Sequence, residues 1–169
     1  MNILETPRLI LRELTLEDAT FVLSLLNEPT FIEFIGDKGV RDFAGAGKYL
    51  REGPLASYTK HGFGLWLVAL KDGGTPIGMC GLLQRDTLEH PDLGFALLSC
   101  HGGKGYAFES AAAVLDHGRN VLKLGTIVAV TAPENPASIR LLDKLGFRFD
   151  RMIALPGYAE PSRLFVPSD

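Results

Sequence analysis

Apolar positions along this chain recur with two different periods, and the switches between them mark out the elements. Leu9-Ile10-Leu11-Arg12, just after Pro7, reads as a strand. Thr15 suits a helix N-cap, with Glu17 and Asp18 favourable in the first turn. Ala19, Val22, Leu23 and Leu26 then repeat at helical spacing, and Pro29 is expected to close that helix. From Thr30 to His61 the pattern is mixed and rich in glycine, which predicts short helices joined by loops. Such a segment suits the wall of a substrate site and a plain connection equally well. Phe63 to Leu70 and Ile77 to Leu83 are apolar runs around the turn signal Asp72-Gly73-Gly74, which predicts a hairpin. After a polar connection from Asp86 to Pro91, Leu93 to Leu98 supplies the third strand of a meander. Ala107, Ser110, Ala111, Val114, Leu115 and Gly118 form one stripe of a helix, small enough to pack closely on a sheet. Thr126 to Thr131 is β-branched and apolar, a buried strand. Ala137 to Leu145 predicts a helix with Ile139, Leu142 and Leu145 inward, ended by Gly146. Phe147 to Leu155 and Arg163 to Val166 read as the last strands.

A meander that feeds a strand–helix–strand unit predicts an α/β fold with a mixed sheet, not a doubly wound parallel one. With 169 residues and no linker, repeat or low-complexity tract, residues 1–169 read as one domain. A hydrophobic content of 46% and a charged content of 22% suit an ordinary buried core. The formal net charge of −3 argues against a nucleic-acid partner. No apolar run approaches the ~20 residues of a membrane span. Met1-Asn2-Ile3-Leu4-Glu5 shows no basic-then-apolar leader pattern, so a cytoplasmic protein without a membrane partner is expected. Cys80 and Cys100 form no C-x-x-C pair, and no Cys/His cluster has zinc spacing; free thiols and no metal are expected.

The candidate chemistry begins at Gly102-Gly103-Lys104-Gly105-Tyr106-Ala107, where an apolar strand ends in glycines that open a helix. The first helical turn has unpaired N–H groups and a partial positive charge, and glycines let an anion approach that backbone. A phosphate cradle follows. A P-loop needs G-x-x-x-x-G-K-[ST], and Gly47-Lys48 is followed by Tyr49, with Asp42 where the first glycine belongs. A dinucleotide loop needs G-x-G-x-x-G after a first strand; Gly103 and Gly105 fit, but Phe108 holds the third position and the preceding strands form a meander.

The loop instead resembles motif A of the GNAT superfamily of N-acetyltransferases, [QR]-x-x-G-x-[GA]. Gly103 and Gly105 fill its last two fixed positions, Cys100 replaces the polar first residue, and Gly102 stands where a basic residue is common. Asn135-Pro136-Ala137-Ser138 through Gly146-Phe147 resembles motif B of the same family. Its N-x-x-S-x-x-L-x-x-x-G-F form is similar to the branch of ribosomal-protein N-terminal acetyltransferases of RimJ/RimL type. Glu5-Thr6-Pro7-Arg8-Leu9-Ile10-Leu11-Arg12, Gly78-Met79-Cys80-Gly81-Leu82 and Asp92-Leu93-Gly94-Phe95 also resemble that branch, in the right order along nearly the whole chain.

The resemblance implies a central, mostly antiparallel twisted sheet of about seven strands flanked by helices. It implies acetyl-CoA as cosubstrate, a direct transfer to a primary amine in a ternary complex, and no metal. The amine is that of a protein N-terminus or of a small molecule. Gly103, Lys104, Gly105, Tyr106 and Ala107 would hold the pyrophosphate, and splayed backbone near the end of the fourth strand, at Leu97, Leu98 and Ser99, would pair with the pantetheine arm. Asn135 would contact the arm or a water and cap its helix. Many relatives carry a Tyr acid where Leu142 stands, and in the ribosomal branch Ser138 matches the residue that protonates the thiolate. Asp92 matches the carboxylate that takes the amine's proton, one methylene shorter than the usual Glu and so acting through water. Glu109 is expected to favour the helix dipole. His61 and His101 are weaker pocket candidates, His117 reads as surface, and Trp66 as core or pocket wall. Without a working acid or base, the same resemblance describes a non-catalytic acetyl-CoA sensor. A homodimer is compatible with either.

Overall fold

Side chains alternate along the central strands and feed two cores, one on each face of a single sheet. In β3 (Leu65–Leu70), Trp66 and Val68 join one buried cluster while Leu67 and Ala69 join the other. The computed structural model describes residues 2–168. Its strands are β1 (Asn2–Glu5), β2 (Leu9–Arg12), β3, β4 (Pro76–Leu83), β5 (Asp92–Leu97), β6 (Val128–Thr131), β7 (Phe147–Ile153) and β8 (Ser162–Pro167), in the spatial order β1-β2-β3-β4-β5-β6-β8-β7. Every neighbouring pair is antiparallel except β5 and β6. The sheet is mixed, as the meander implies.

The eighth strand is one the apolar pattern does not show. Asn2–Glu5 holds only two apolar residues, and its extended form comes from pairing with β2. The helices are α1 (Ala19–Leu26), α2 (Pro29–Phe34), α3 (Phe43–Leu50), α4 (Ala56–His61), α5 (Tyr106–Asn120) and α6 (Pro136–Lys144). Thr15 caps the short 3-10 turn that leads into α1. Pro29 does not close α1: the helix ends at Leu26, and Pro29 opens α2, where its missing N–H costs nothing. Residues 43–61 are helical without a break, with a π-helical turn over Arg51–Leu55 between α3 and α4. Pro54 lies inside that turn, and widened turns of this kind accommodate a residue that cannot donate to the ladder.

Helices α1 and α3 cover one face through Val22, Leu25, Ala46 and Leu50. On the other face α5 lies close: a Cβ on Gly118 would come within 2.9 Å of Ile127 Cδ1. Of the inward trio expected in α6, only Leu142 is buried; Ile139 and Leu145 pack at the margin. Trp66 is core, and His117 is half-buried with its ring edge-on to it, 5.6 Å between centroids. Burial lowers the His117 pKa. Among the described residues, no helix is long and apolar enough to cross a membrane, and no cluster of His, Cys, Asp and Glu could hold a metal ion.

Candidate active site

The one parallel pair in the sheet comes apart. β5 and β6 are in register only at Asp92 with Val128 and Leu93 with Ala129. Beyond those, β5 stays paired with β4 out to Leu97, and β6 stays paired with β8 out to Thr131. The backbone of residues 94–97 therefore has no strand on its β6 side, and a wedge opens in the middle of the sheet. A cavity of about 740 Å³ fills it and continues beneath α2 and the α3–α4 rod.

Past the wedge, β5 runs through a 3-10 turn (Ser99–His101) into the glycine loop. Gly103 and Gly105 both have left-handed backbone, φ +74° and +82°, and Gly105 is the N-cap of α5. No side chain caps this helix, so the N–H groups of its first turn are available to a ligand. Arg8 holds the loop from outside. Its Nε donates to Glu109 Oε1 at 2.7 Å, its Nη1 donates to the Lys104 carbonyl at 3.0 Å, and its guanidinium lies over the Tyr106 ring, 4.4 Å from the centroid. Glu109 also accepts from the Thr6 hydroxyl and the Arg8 backbone N–H. Burial pushes the Glu109 carboxyl up, and the Thr6 and Arg8 hydrogen bonds more than offset this, so its pKa lies below the usual value. The expected helix-dipole role of Glu109 is thus joined by a tie to residues just before β2.

The expected site residues divide between two places. Asp92, Leu97, Ala107, Asn135 and Ser138 line the cavity. Gly103, Lys104, Gly105 and Tyr106 lie outside it on the loop, with Lys104 exposed and Tyr106 packed against the core. Leu98 and Ser99 are not in the cavity wall either. Leu98 packs against the core on the α1 face, and the Ser99 N–H donates to Glu28 Oε1 at 2.6 Å. Asn135 Oδ1 caps α6 by accepting from the Ser138 N–H at 3.3 Å. Leu142, in the position where many relatives carry a tyrosine, is core.

Asp92 is no solvated strand end. It is 1% exposed and bound by Arg85, Nε to Oδ1 at 3.1 Å and Nη2 to Oδ2 at 3.4 Å. Burial raises its pKa and the Arg85 charge pulls it back, with burial the larger effect. Arg85 in turn lies 5.9 Å from the Tyr158 ring centroid, which comes from the loop between β7 and β8. Residues that the apolar pattern does not single out complete the wall. They include Arg85, Tyr158 and Tyr49, whose hydroxyl burial pushes up to about 12. Phe31 and Phe34 of α2 add an apolar side. His61 lines the cavity with its ring stacked on Phe63, 5.7 Å between centroids. His101 stays outside it.

An open helix start, a loop with glycine at 102, 103 and 105 and a parted strand pair suit a long ligand with an anionic end and a narrow arm. Residues 8–148 match the family described as "Acetyltransferase (GNAT) domain". The uncharacterised N-acetyltransferase p20 of Bacillus licheniformis is 28% identical over 161 residues, covering 90% of this chain and 86% of that protein. A stretch shared with the uncharacterised protein YkkB of Bacillus subtilis is 35% identical and spans 55% of either chain. Among solved structures, an acetyltransferase from Agrobacterium tumefaciens superposes with a TM-score of 0.79 at 26% identity, covering 98% and 92% of the two chains. The spermidine N-acetyltransferase of Vibrio cholerae, solved with CoA and spermine, has the same fold at 19% identity, with a TM-score of 0.78 over 95% of each chain. The chain belongs to the GNAT acetyltransferase family and is an N-acetyltransferase.

Proposed function

We propose that this protein transfers an acetyl group from acetyl-CoA to a primary amine, carried by a protein N-terminus or a small molecule, in a ternary complex. The observation that carries this reading is the parting of β5 from β6 beside the uncapped start of α5. When bound, acetyl-CoA supplies the activated acetyl group. The first-turn N–H groups of α5, reached past Gly103 and Gly105, would bind its pyrophosphate, with Lys104 and Tyr106 alongside. The unpaired backbone of residues 94–97 would pair with its arm, a segment that starts three residues and ends two residues before the expected Leu97–Ser99.

The remaining tasks are proton movements. Ser138, in the first turn of α6 on the cavity wall, is the proposed donor to the departing thiolate, and Asn135 fixes the turn that carries it. Asp92 is the proposed acceptor of the amine proton through a water, because its carboxylate is almost fully covered and its direct contacts go to Arg85. An acceptor with pKa near 8, such as a protein α-amino group, needs little help from a base. Residence in the cytoplasm belongs to the same proposal.

The test is thermal shift with acetyl-CoA, ATP and NAD, followed by turnover of acetyl-CoA with a panel of N-terminal peptides, polyamines and amino acids. Stabilisation by acetyl-CoA alone, with turnover on at least one amine, is expected. Stabilisation without turnover across the panel would favour a sensor, and no shift with acetyl-CoA would remove the reading.

A further inference from the structure

The cavity passes through the sheet at the wedge, and its two sides differ in chemistry. Ala107 of α5 and Asn135 and Ser138 of α6 line one side, under the helices that cover Trp66 and Val68. The other side lies under α2 and the α3–α4 rod. Its floor is made by strand residues of the opposite face: Leu65 and Met79, which pack in the second core, and Leu83 further along β4. Register sets Ala96 opposite Met79 and Asp92 opposite Leu83, so the Asp92 carboxylate belongs to this side. Phe31, Phe34 and Tyr49 of the covering helices complete it.

The contacts proposed for acetyl-CoA use the first side and the β5 backbone, which leaves the second side to the acceptor. Phe34 and Leu83 fit that use. Both are half-buried on the cavity wall, and neither belongs to either core cluster. A ligand that enters the cavity is what covers their remaining apolar surface. Charge argues the same way. Among the described residues, the acids on the cavity wall are Glu52, which is exposed, and Asp92, which Arg85 holds through two hydrogen bonds. Lys38, Lys60 and Arg85 stand on the same wall. A second ammonium on the acceptor would enter against these cations with no free carboxylate at its side, and an unpaired buried charge is costly.

We infer that the acceptor is a primary monoamine on an apolar, uncharged body, which lies against Phe34 and Leu83 with its amine toward Asp92. This rests on the acetyl-transfer reading proposed above and narrows it: polyamines and other polycations are poor acceptors. A free alkyl- or arylalkylamine has this chemistry, and so does a peptide whose first side chain is apolar. Apolar burial then sets the rate, so each methylene added to the body improves kcat/KM until the cavity is full.

Acetylation at saturating acetyl-CoA tests this with hexylamine and cadaverine, two chains of equal length in which an ammonium replaces a methyl group. Hexylamine should be favoured about 100-fold in kcat/KM, and the series from butylamine to hexylamine should gain about 3- to 4-fold per methylene. Peptides beginning with Phe and with Ser identify the carrier. A Phe peptide acetylated far better than both the Ser peptide and the free amines supports the inference with a peptide as carrier, and free amines acetylated best support it with a small molecule. Phe34→Glu supplies a carboxylate and should narrow the ratio of hexylamine to cadaverine about tenfold, with CoA affinity read alongside to check the fold. Cadaverine or spermidine acetylated as well as hexylamine would overturn the inference and leave acetyl transfer intact. So would a rate indifferent to both chain length and first peptide residue, or an unchanged ratio in a Phe34→Glu variant that binds CoA. A protein that acetylates no amine of the panel would overturn both.

Discussion

Arg8 and Glu109 are 101 positions apart in sequence, and Arg8 Nε lies 2.7 Å from Glu109 Oε1. The pair ties the residue just before β2 to the first turn of α5, and Arg8 also holds the Lys104 carbonyl and the Tyr106 ring. The glycine loop, which has little side-chain packing of its own, is braced by Arg8, the residue just before β2. Arg8 acts through the loop, as a positioning residue.

Removing the brace should therefore weaken cofactor binding more than it weakens the fold. Arg8 is 46% exposed, so Arg8→Ala should cost about 1 kcal/mol or less of stability in urea unfolding. The KM for acetyl-CoA should rise roughly tenfold, with kcat and the KM for the amine changed little. A kcat loss with an unchanged acetyl-CoA KM would remove the positioning role.

Gly105 has a left-handed backbone, and a Cβ there would stand 3.3 Å from Arg8 Nη2. Gly105→Ala should destabilise by about 1–2 kcal/mol through the φ strain. It should also weaken CoA binding, because the methyl group covers the N-terminus of α5 and displaces Arg8. Gly74→Ala provides the control: it carries a comparable φ of +72° with nothing within 4 Å, and CoA affinity should be unchanged in that variant.

The two proposed proton carriers should separate kinetically. Ser138→Ala should lower kcat about 10- to 100-fold and leave CoA affinity nearly intact, since the Asn135 cap uses the Ser138 backbone and not its hydroxyl. Asp92→Asn should lower kcat/KM for the amine and remove the acid limb of its pH profile. If that limb survives in Asp92→Asn, the role of Asp92 is to hold Arg85 and not to take a proton.

Acid stability should depend on Glu109 and Asp18. Burial raises each pKa, but hydrogen bonds and opposite charge more than offset it: Thr6 and Arg8 for Glu109, Arg12 and the Thr15 backbone for Asp18. Both folded pKa values therefore lie below the unfolded ones. Their stabilising contribution is present above the unfolded values, near pH 4, and is lost as pH falls through the folded values. Denaturant unfolding at a series of pH values from 7 to 2 should show a shallower acid loss in Glu109→Gln and Asp18→Asn than in the wild type.

Much of this molecule is legible along the chain. Period-2 and helical patterning mark β2 through β5 and α5, the turn signal at Asp72-Gly73-Gly74 joins β3 to β4, and the glycines at 103 and 105 mark the open start of α5. These are local features, set by residue type and spacing over a few positions. The parting of β5 from β6 is different. Nothing in Gly94-Phe95-Ala96-Leu97 or Val130-Thr131 announces that two strands in register at Asp92 and Leu93 will separate, because register and splay depend on what each strand pairs with on its other side. Burial of Asp92 against Arg85, the bracing of the loop by Arg8 and the placing of Phe34 and Leu83 on one cavity wall likewise join groups that lie far apart in the chain or face a space the chain encloses only when folded. Residue identity alone determined which groups could bind an acetyl donor; the packing of the sheet decided which of them meet in one cavity, because distances between remote residues exist only once the strands are paired.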